Sequence, residues 1–303
     1  MRIVSLVPSA TEMLFALGLG GDVVAVTHEC DFPDAARELP RVTRDVLGAG
    51  LSSAEIDAAV KERTLAGESI YELDTELLRD LRPDLIVTQA LCSVCAVSYE
   101  DVRQIAEELE TRPRVLSLDP RTLGEVLGDA RTLAEATDRK DAAVTLVRDA
   151  AARIDRVRLA TRRARRRPRV AALEWLDPPF AAGHWVPQLI EYAGGEDVLG
   201  LPGERSEERS WDEVEASRPD VVVVMPCGFD AHLAYREAEM HRDQLTALRA
   251  GEVVAVDAAA YFSRPGPRVV DGLELLAHIL HPELVPDAPG EATVLDLFSE
   301  ARG

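Results

Sequence analysis

Four cysteines, Cys30, Cys92, Cys95 and Cys227, each follow a short apolar run that reads as a β-strand. Thiolates gathered on strand-end loops could form a tetrahedral Zn²⁺ site or hold an iron–sulfur cluster. His28 and His184 could each replace one ligand. The case rests on position, because Cys92-Ser-Val-Cys95 is the one pair with a ligand-like spacing. That pair also suits a dithiol–disulfide couple, the chemistry of a thiol oxidoreductase, since a thiol at a helix N-terminus is easily ionised. A third chemistry is non-covalent. Trp175, Phe180, Trp185, Phe229, Tyr261 and Phe262 fall at strand ends, where they would form an apolar platform for a large planar ligand. Pro8, Ser9, Glu29 and Arg264 occupy similar strand-end positions, and His184 or a thiolate there is a candidate axial ligand to a bound metal. Each chemistry competes with plain packing, because buried thiols and aromatic rings also serve as core.

Common catalytic signatures are missing. No Gly-x-Gly-x-x-Gly follows a strand, no phosphate loop ends in Gly-Lys-Ser/Thr, and there is no Gly-x-Ser-x-Gly elbow. His28-Glu29 lacks a second histidine one helical turn on. The residues therefore favour a binding protein over an enzyme.

Composition narrows the partners. The 303 residues are 47% apolar and 29% charged, with a net charge of −20. Such a surface repels phosphate backbones, so nucleic acid is not an expected partner. No apolar run approaches the ~20 residues that span a bilayer, so no membrane insertion is expected. Arg153–Arg169 departs from the rest, holding nine arginines and one acid, Asp155. It reads as a solvated helix face whose cations complement the helix dipole, with anion or partner docking as the alternative. The start, Met1-Arg2-Ile3-Val4-Ser5-Leu6-Val7-Pro8, reads as a strand rather than a secretory leader. The expectation is a cytoplasmic protein with reduced thiols.

These residues need elements to position them. Apolar runs at Arg2–Leu6, Val23–Thr27, Leu85–Thr88 and Val115–Leu118 alternate with helical segments at Ser52–Ala66, Asp74–Leu81 and Ser98–Leu109. Ser9-Ala10-Thr11-Glu12 has the form of a capping box opening a helix to Leu17. After a helix over Thr122–Ala136, a longer one is predicted from Asp138 to about Arg165, ~40 Å of helix ended by Pro168. A second set follows, with strands at Val170–Trp175, Val221–Met225 and Val253–Val256. Helices are expected at Val186–Ala193, Trp211–Ser217, His241–Leu248 and Val269–Ile279. Such alternation predicts an α/β fold of two parallel-sheet lobes. The expected division is residues 1–137, a connecting helix over 138–167, and a second lobe over 168–303 with a peripheral tail. The halves also echo each other. Arg82-Pro83-Asp84 precedes Leu-Ile-Val-Thr and Cys92, and Arg218-Pro219-Asp220 precedes Val-Val-Val-Val and Cys227. In parallel sheets ligands bind beyond the carboxyl ends of the strands, where the candidate residues lie.

An ordered series of segments carries a family resemblance. They are Arg2-Ile-Val-Ser-Leu-Val-Pro-Ser-Ala-Thr-Glu12, Ala16-Leu-Gly-Leu-Gly20, Cys30-Asp-Phe-Pro33 and Leu81-Arg-Pro-Asp-Leu-Ile-Val87 in the first half. Asp177-Pro-Pro-Phe180 with Gly183, Gly194-Gly-Glu196, Ser217-Arg-Pro-Asp220 and Arg264-Pro-Gly-Pro-Arg268 continue it in the second. The chain resembles the corrinoid-binding branch of the helical-backbone metal-receptor family, the class III substrate-binding proteins of ABC importers. The resemblance implies two α/β lobes on one long helix, a cobalamin-like corrinoid or related metal chelate held between them, and small hinge motion. It also implies an ABC permease as partner, which an unexported protein would lack. The four cysteines are not part of the family's general pattern.

Overall fold

Runs of β-branched residues between charged helices demand a sheet covered on both faces, and the chain forms two. The computed structural model describes residues 1–48, 50–90, 97–290 and 292–295. One unit comprises Met1–Pro120 with Val126–Val147, the other Arg121–Glu125 with Arg148–Gly303.

The first unit is built on four parallel strands in the order Val23–Ala25, Ile3–Ser5, Leu85–Thr88, Arg114–Ser117. Alternation sends Ile3, Leu85 and Val87 into one apolar cluster with Leu14 and Leu133. Val4 and Ile86 enter another with Leu78 and Val102. Both faces are thus dry, which is why these strands are continuously apolar. A two-stranded antiparallel ribbon, Thr43–Asp45 with Tyr71–Leu73, lies outside this sheet.

The second unit centres on parallel strands Arg169–Leu176, Val221–Val224 and Glu252–Val256. Antiparallel strands extend it. Pro179–Ala181 turns back on Arg169–Leu176, and Glu207–Glu208 adds to that hairpin. On the other side Ala292–Val294 pairs with Glu252–Val256, so the acidic tail supplies an edge strand.

The repeated Arg-Pro-Asp forms the same latch in both units. Arg82 and Arg218 end their helices in the left-handed region, at φ 47° and 48°. The aspartate two residues on clasps the start of the adjoining strand, at Arg2 just before Ile3–Ser5 and at Arg169 in Arg169–Leu176. Asp84 Oδ2 accepts from Arg2 N–H (2.7 Å) and Asp220 Oδ2 from Arg169 N–H (2.9 Å). In return the Asp84 and Asp220 N–H groups donate to the carbonyls of Arg2 and Arg169. Arg2 Nε donates to the Leu81 carbonyl, and Arg169 Nη2 to that of Ser217, satisfying helix ends that have no internal partner.

A 22-residue helix, Lys140–Thr161, contributes to both units and is ~33 Å long. It stops short of the expected Arg165. Thr161 Oγ1 donates to the Tyr192 carbonyl (3.0 Å), and Arg158 lies 4.4 Å from the Tyr192 ring centroid. Earlier in the helix Arg153 bridges Asp271 and Glu274 at 2.5 and 2.6 Å. Part of the basic segment is therefore structural rather than a solvated face.

The first helix departs from expectation. It runs Pro8–Ala16 with Val7 at the N-cap and no side-chain cap, so Ser9 and Glu12 do not form a capping box. Proline takes the first turn, where a missing N–H costs nothing. The Thr11 hydroxyl instead turns inward to Ser5 Oγ (2.8 Å). The helix expected from Ser52 does open on a capping box, between Ser52 and Glu55. A helix over Ala231–Met240, capped by Asp230, was not expected from the sequence.

Two opposite changes test the latch. Asp220→Ala should lower stability by about 1 kcal/mol, because a backbone N–H loses its carboxylate. Arg218→Gly should raise it by about 0.5–1 kcal/mol, because glycine adopts positive φ without strain. Urea unfolding midpoints measure both, and equal signs would refute this account.

Candidate functional site

In the second unit the loops leaving the three parallel strands are tied to one another. Met225 N–H donates to the Leu173 carbonyl and Cys227 N–H to that of Glu174. Ala259 N–H donates to the Phe229 carbonyl, and Trp185 Nε1 to that of Phe262 (2.9 Å). These bonds gather the expected aromatics but divide them into two layers. Trp185 and Phe262 are buried, 5% and 2% exposed, and form a floor rather than a platform. Trp175, Phe180, Phe229 and Tyr261 remain half-buried. Trp175 meets Phe229 edge-on, with centroids 5.7 Å apart, and pairs across the hairpin with Phe180. Arg264 is half-buried on the segment after Tyr261.

His184 stands on the tightest of these loops. Its φ is 55°, an uncommon backbone state that histidine tolerates better than most residues. Its N–H donates to the Glu204 carbonyl (2.6 Å), and its own carbonyl accepts from Gly203 N–H (2.9 Å). Gly183 before it must be glycine, because a Cβ there would strike the backbone of Glu204, Arg205 and Ser206. Burial lowers the pKa of the imidazole, and the charges of Arg121 and Arg205 add to the effect. The ring is thus held neutral, the form that ligates metals.

Asp197 and Asp257, which sequence reasoning missed, sit near the same loops. Asp197 accepts from the Leu199 and Gly200 N–H groups through Oδ1, while its buried Oδ2 has no hydrogen-bond partner. Burial pushes its carboxyl up to about 6. Asp257 caps the Ala258–Tyr261 helix by accepting from Ala260 N–H (2.7 Å), and burial raises its pKa too. The signal for Asp257 was an aspartate just before an apolar helical turn. Asp197 gave none.

The strand ends of the first unit carry the other candidates. Pro8 and Ser9 open the first helix, Pro8 half-buried and Ser9 buried. Glu29 Oε1 accepts from the Tyr71 hydroxyl (2.9 Å), and His28 Nδ1 is hydrogen-bonded to Thr43 Oγ1 (2.8 Å). Cys30 is 1% exposed, with Sγ 3.1 Å from both the Thr11 and Thr27 hydroxyls, and packs in the apolar core. Its surroundings are those of a core thiol. Cys227 is exposed and belongs to the other unit. Cys92 and Cys95 lie outside the described residues. Among the described residues no three His, Cys, Asp or Glu side chains are grouped to hold a metal. The zinc, iron–sulfur and thiol-redox readings gain no support from this arrangement.

Two parallel α/β lobes sharing one long helix define a binding protein of the two-lobed, single-helix class. A model of the periplasmic binding protein family matches residues 3–260, and the chain belongs to that family. It is similar to a vitamin B12-binding protein of Vibrio cholerae, at 24% identity over 90% of this chain and 86% of that protein. Two solved structures agree in fold. A periplasmic heme-binding protein from Pseudomonas aeruginosa superposes with a TM-score of 0.70 at 20% identity, covering 96% of this chain and 95% of the other. A periplasmic heme-binding protein from Roseiflexus sp. RS-1 gives 0.66 at 24% identity, covering 93% and 98%. No helix among the described residues is long and apolar enough to cross a membrane.

Asp197 makes stability depend on pH. Its carboxyl is raised from 3.8 to about 6, so its contribution is fully present below about pH 4 and is lost as pH rises through about 6. Asp197→Asn should therefore stabilise the protein by up to about 2 kcal/mol near pH 7.5 and by much less near pH 4.5. Urea unfolding of both proteins at the two pH values measures this. A difference that does not change with pH would sink the assignment.

Proposed function

We propose that the chain is a non-catalytic binding protein for a metal-chelating tetrapyrrole, with a corrinoid as its ligand. The observation that carries the reading is the half-buried set Trp175, Phe180, Phe229 and Tyr261 at the carboxyl end of the second unit's sheet, with His184 on a neighbouring loop linked through Trp185. Strand-end loops are where such sheets bind ligands, and a flat macrocycle buries large apolar area on aromatic faces. Trp185 and Phe262 support that surface from beneath through the indole-to-carbonyl bond. The neutral imidazole of His184 is suited to an axial position on cobalt or iron. We assign Arg264 to polar groups on the ligand rim. Relatives that bind vitamin B12 or heme by name support the class of ligand. Family membership supports delivery to an ABC importer as the biological role.

Titration of the purified chain with hydroxocobalamin, followed by absorbance, tests this. Saturable binding at one site is expected. Phe229→Ala should weaken it about tenfold, as loss of a buried aromatic contact does. His184→Ala should remove the spectral shift that marks ligand exchange at cobalt, with added imidazole restoring it. Saturable binding of hemin without hydroxocobalamin binding would replace the corrinoid by a heme. Failure of both would overturn the tetrapyrrole reading.

A further inference from the structure

Beyond Thr161 the chain carries Arg162, Arg163, Arg165 and Arg166, all exposed. Their neighbours in sequence are committed. Arg153 is bound by two carboxylates, Arg158 covers Tyr192, and Arg167 donates to the Glu191 and Gly195 carbonyls. Arg162, Arg163, Arg165 and Arg166 make no ion pair among the described residues. Three of them, Arg163, Arg165 and Arg166, rim a groove of about 660 Å³ whose wall is Ile279, Leu280 and Leu284. Two carboxylates, Glu252 and Glu283, also line it, and burial raises the pKa of Glu252.

The groove lies away from the ligand loops. Val221 and Glu252, which border it, are the first residues of their strands, whereas the aromatic set follows the last. A strand of this length separates them by on the order of 15 Å. Its charge is also out of place on a chain of net −20. An anionic partner is repelled by most of this molecule and attracted here, which fixes where it docks. The apolar wall limits what kind of anion fits. A bare phosphate chain has nothing to bury against Ile279 and Leu284, and a flat headgroup layer does not enter a groove. An extended peptide of alternating acidic and apolar residues does, with side chains on opposite faces of the strand. Its carboxylates then meet the guanidinium rim, a strong and well-matched pairing.

We propose that this groove is a docking site for an acidic polypeptide segment with interspersed apolar side chains. The site does not depend on the tetrapyrrole reading, because it shares no residue with it. The test is fluorescence anisotropy of the full chain with a labelled peptide alternating Glu and Leu, beside a control alternating Gln and Leu. The Glu/Leu peptide should bind at low salt and weaken toward physiological ionic strength of about 0.15 M. Arg163→Glu, Arg165→Glu and Arg166→Glu together should weaken it at least about tenfold. These side chains make no hydrogen bond or ion pair among the described residues, and circular dichroism melting checks that the variant is intact. Leu284→Ser should weaken binding several-fold without altering its salt dependence. Equal binding of the control peptide, undiminished binding by the triple variant, or equally tight binding of duplex DNA or phosphatidylglycerol vesicles would each overturn the proposal.

Discussion

A parallel strand covered on both faces has no side chain to spare for chemistry. In both units the strand residues are consumed by packing, with Val222, Val223 and Val224 fully buried in one sheet and Ile3, Ile86 and Val87 in the other. What remains is the loops at the two strand ends. At the amino ends the loops must lock register, because both faces are close-packed and a slip of one residue would exchange the side chains that fill the two clusters. At the carboxyl ends they are released from that duty. The division of labour between latch and site follows from burial alone.

The latch shows how the amino ends meet their task. An aspartate that both accepts from and donates to a residue at the start of the neighbouring strand sets that start to a single position. The arginine two residues before it bears a left-handed backbone that glycine would adopt more easily. The same conformation in both units, with the same bonds to Arg2 and Arg169, means the strain accompanies a shared geometric requirement. The tripeptide was visible in the sequence as an echo. Its mechanism was not, because the partners Arg2 and Arg169 lie 82 and 51 residues from the aspartates they meet.

Legibility elsewhere followed the same rule. Elements set by local periodicity and caps were readable, as with Leu85–Thr88, Val186–Tyr192 and the capped helix after Ser52. Elements set by tertiary pairing were not. The Pro179–Ala181 hairpin strand and the Thr43–Asp45 ribbon are short and lack alternation, so they gain stability only from their partners. The candidate site was legible as a list of loop residues. Which of its aromatics are exposed was not, because the indole-to-carbonyl bond that sinks Trp185 beneath Phe262 joins residues 77 apart. Cys30 shows the converse. Its strand-end position suggested a ligand, whereas the Thr11 and Thr27 hydroxyls and an apolar cluster surround its sulfur, and Thr11 lies 19 residues away in the chain.

His184 brings these arguments to one residue. Its loop is fixed from both sides by Glu204 and Gly203, and the close approach requires glycine at 183. A segment held so firmly in an uncommon conformation is over-determined by its surroundings, which is the usual condition under which such conformations persist. The half-buried imidazole lies against Trp185, with ring centroids 5.7 Å apart, although a glycine would hold the backbone there with less strain. Burial, aided by the charges of Arg121 and Arg205, lowers the pKa of the ring and favours its uncharged form. The loop spends backbone strain and desolvation to present a neutral nitrogen donor beside aromatic faces.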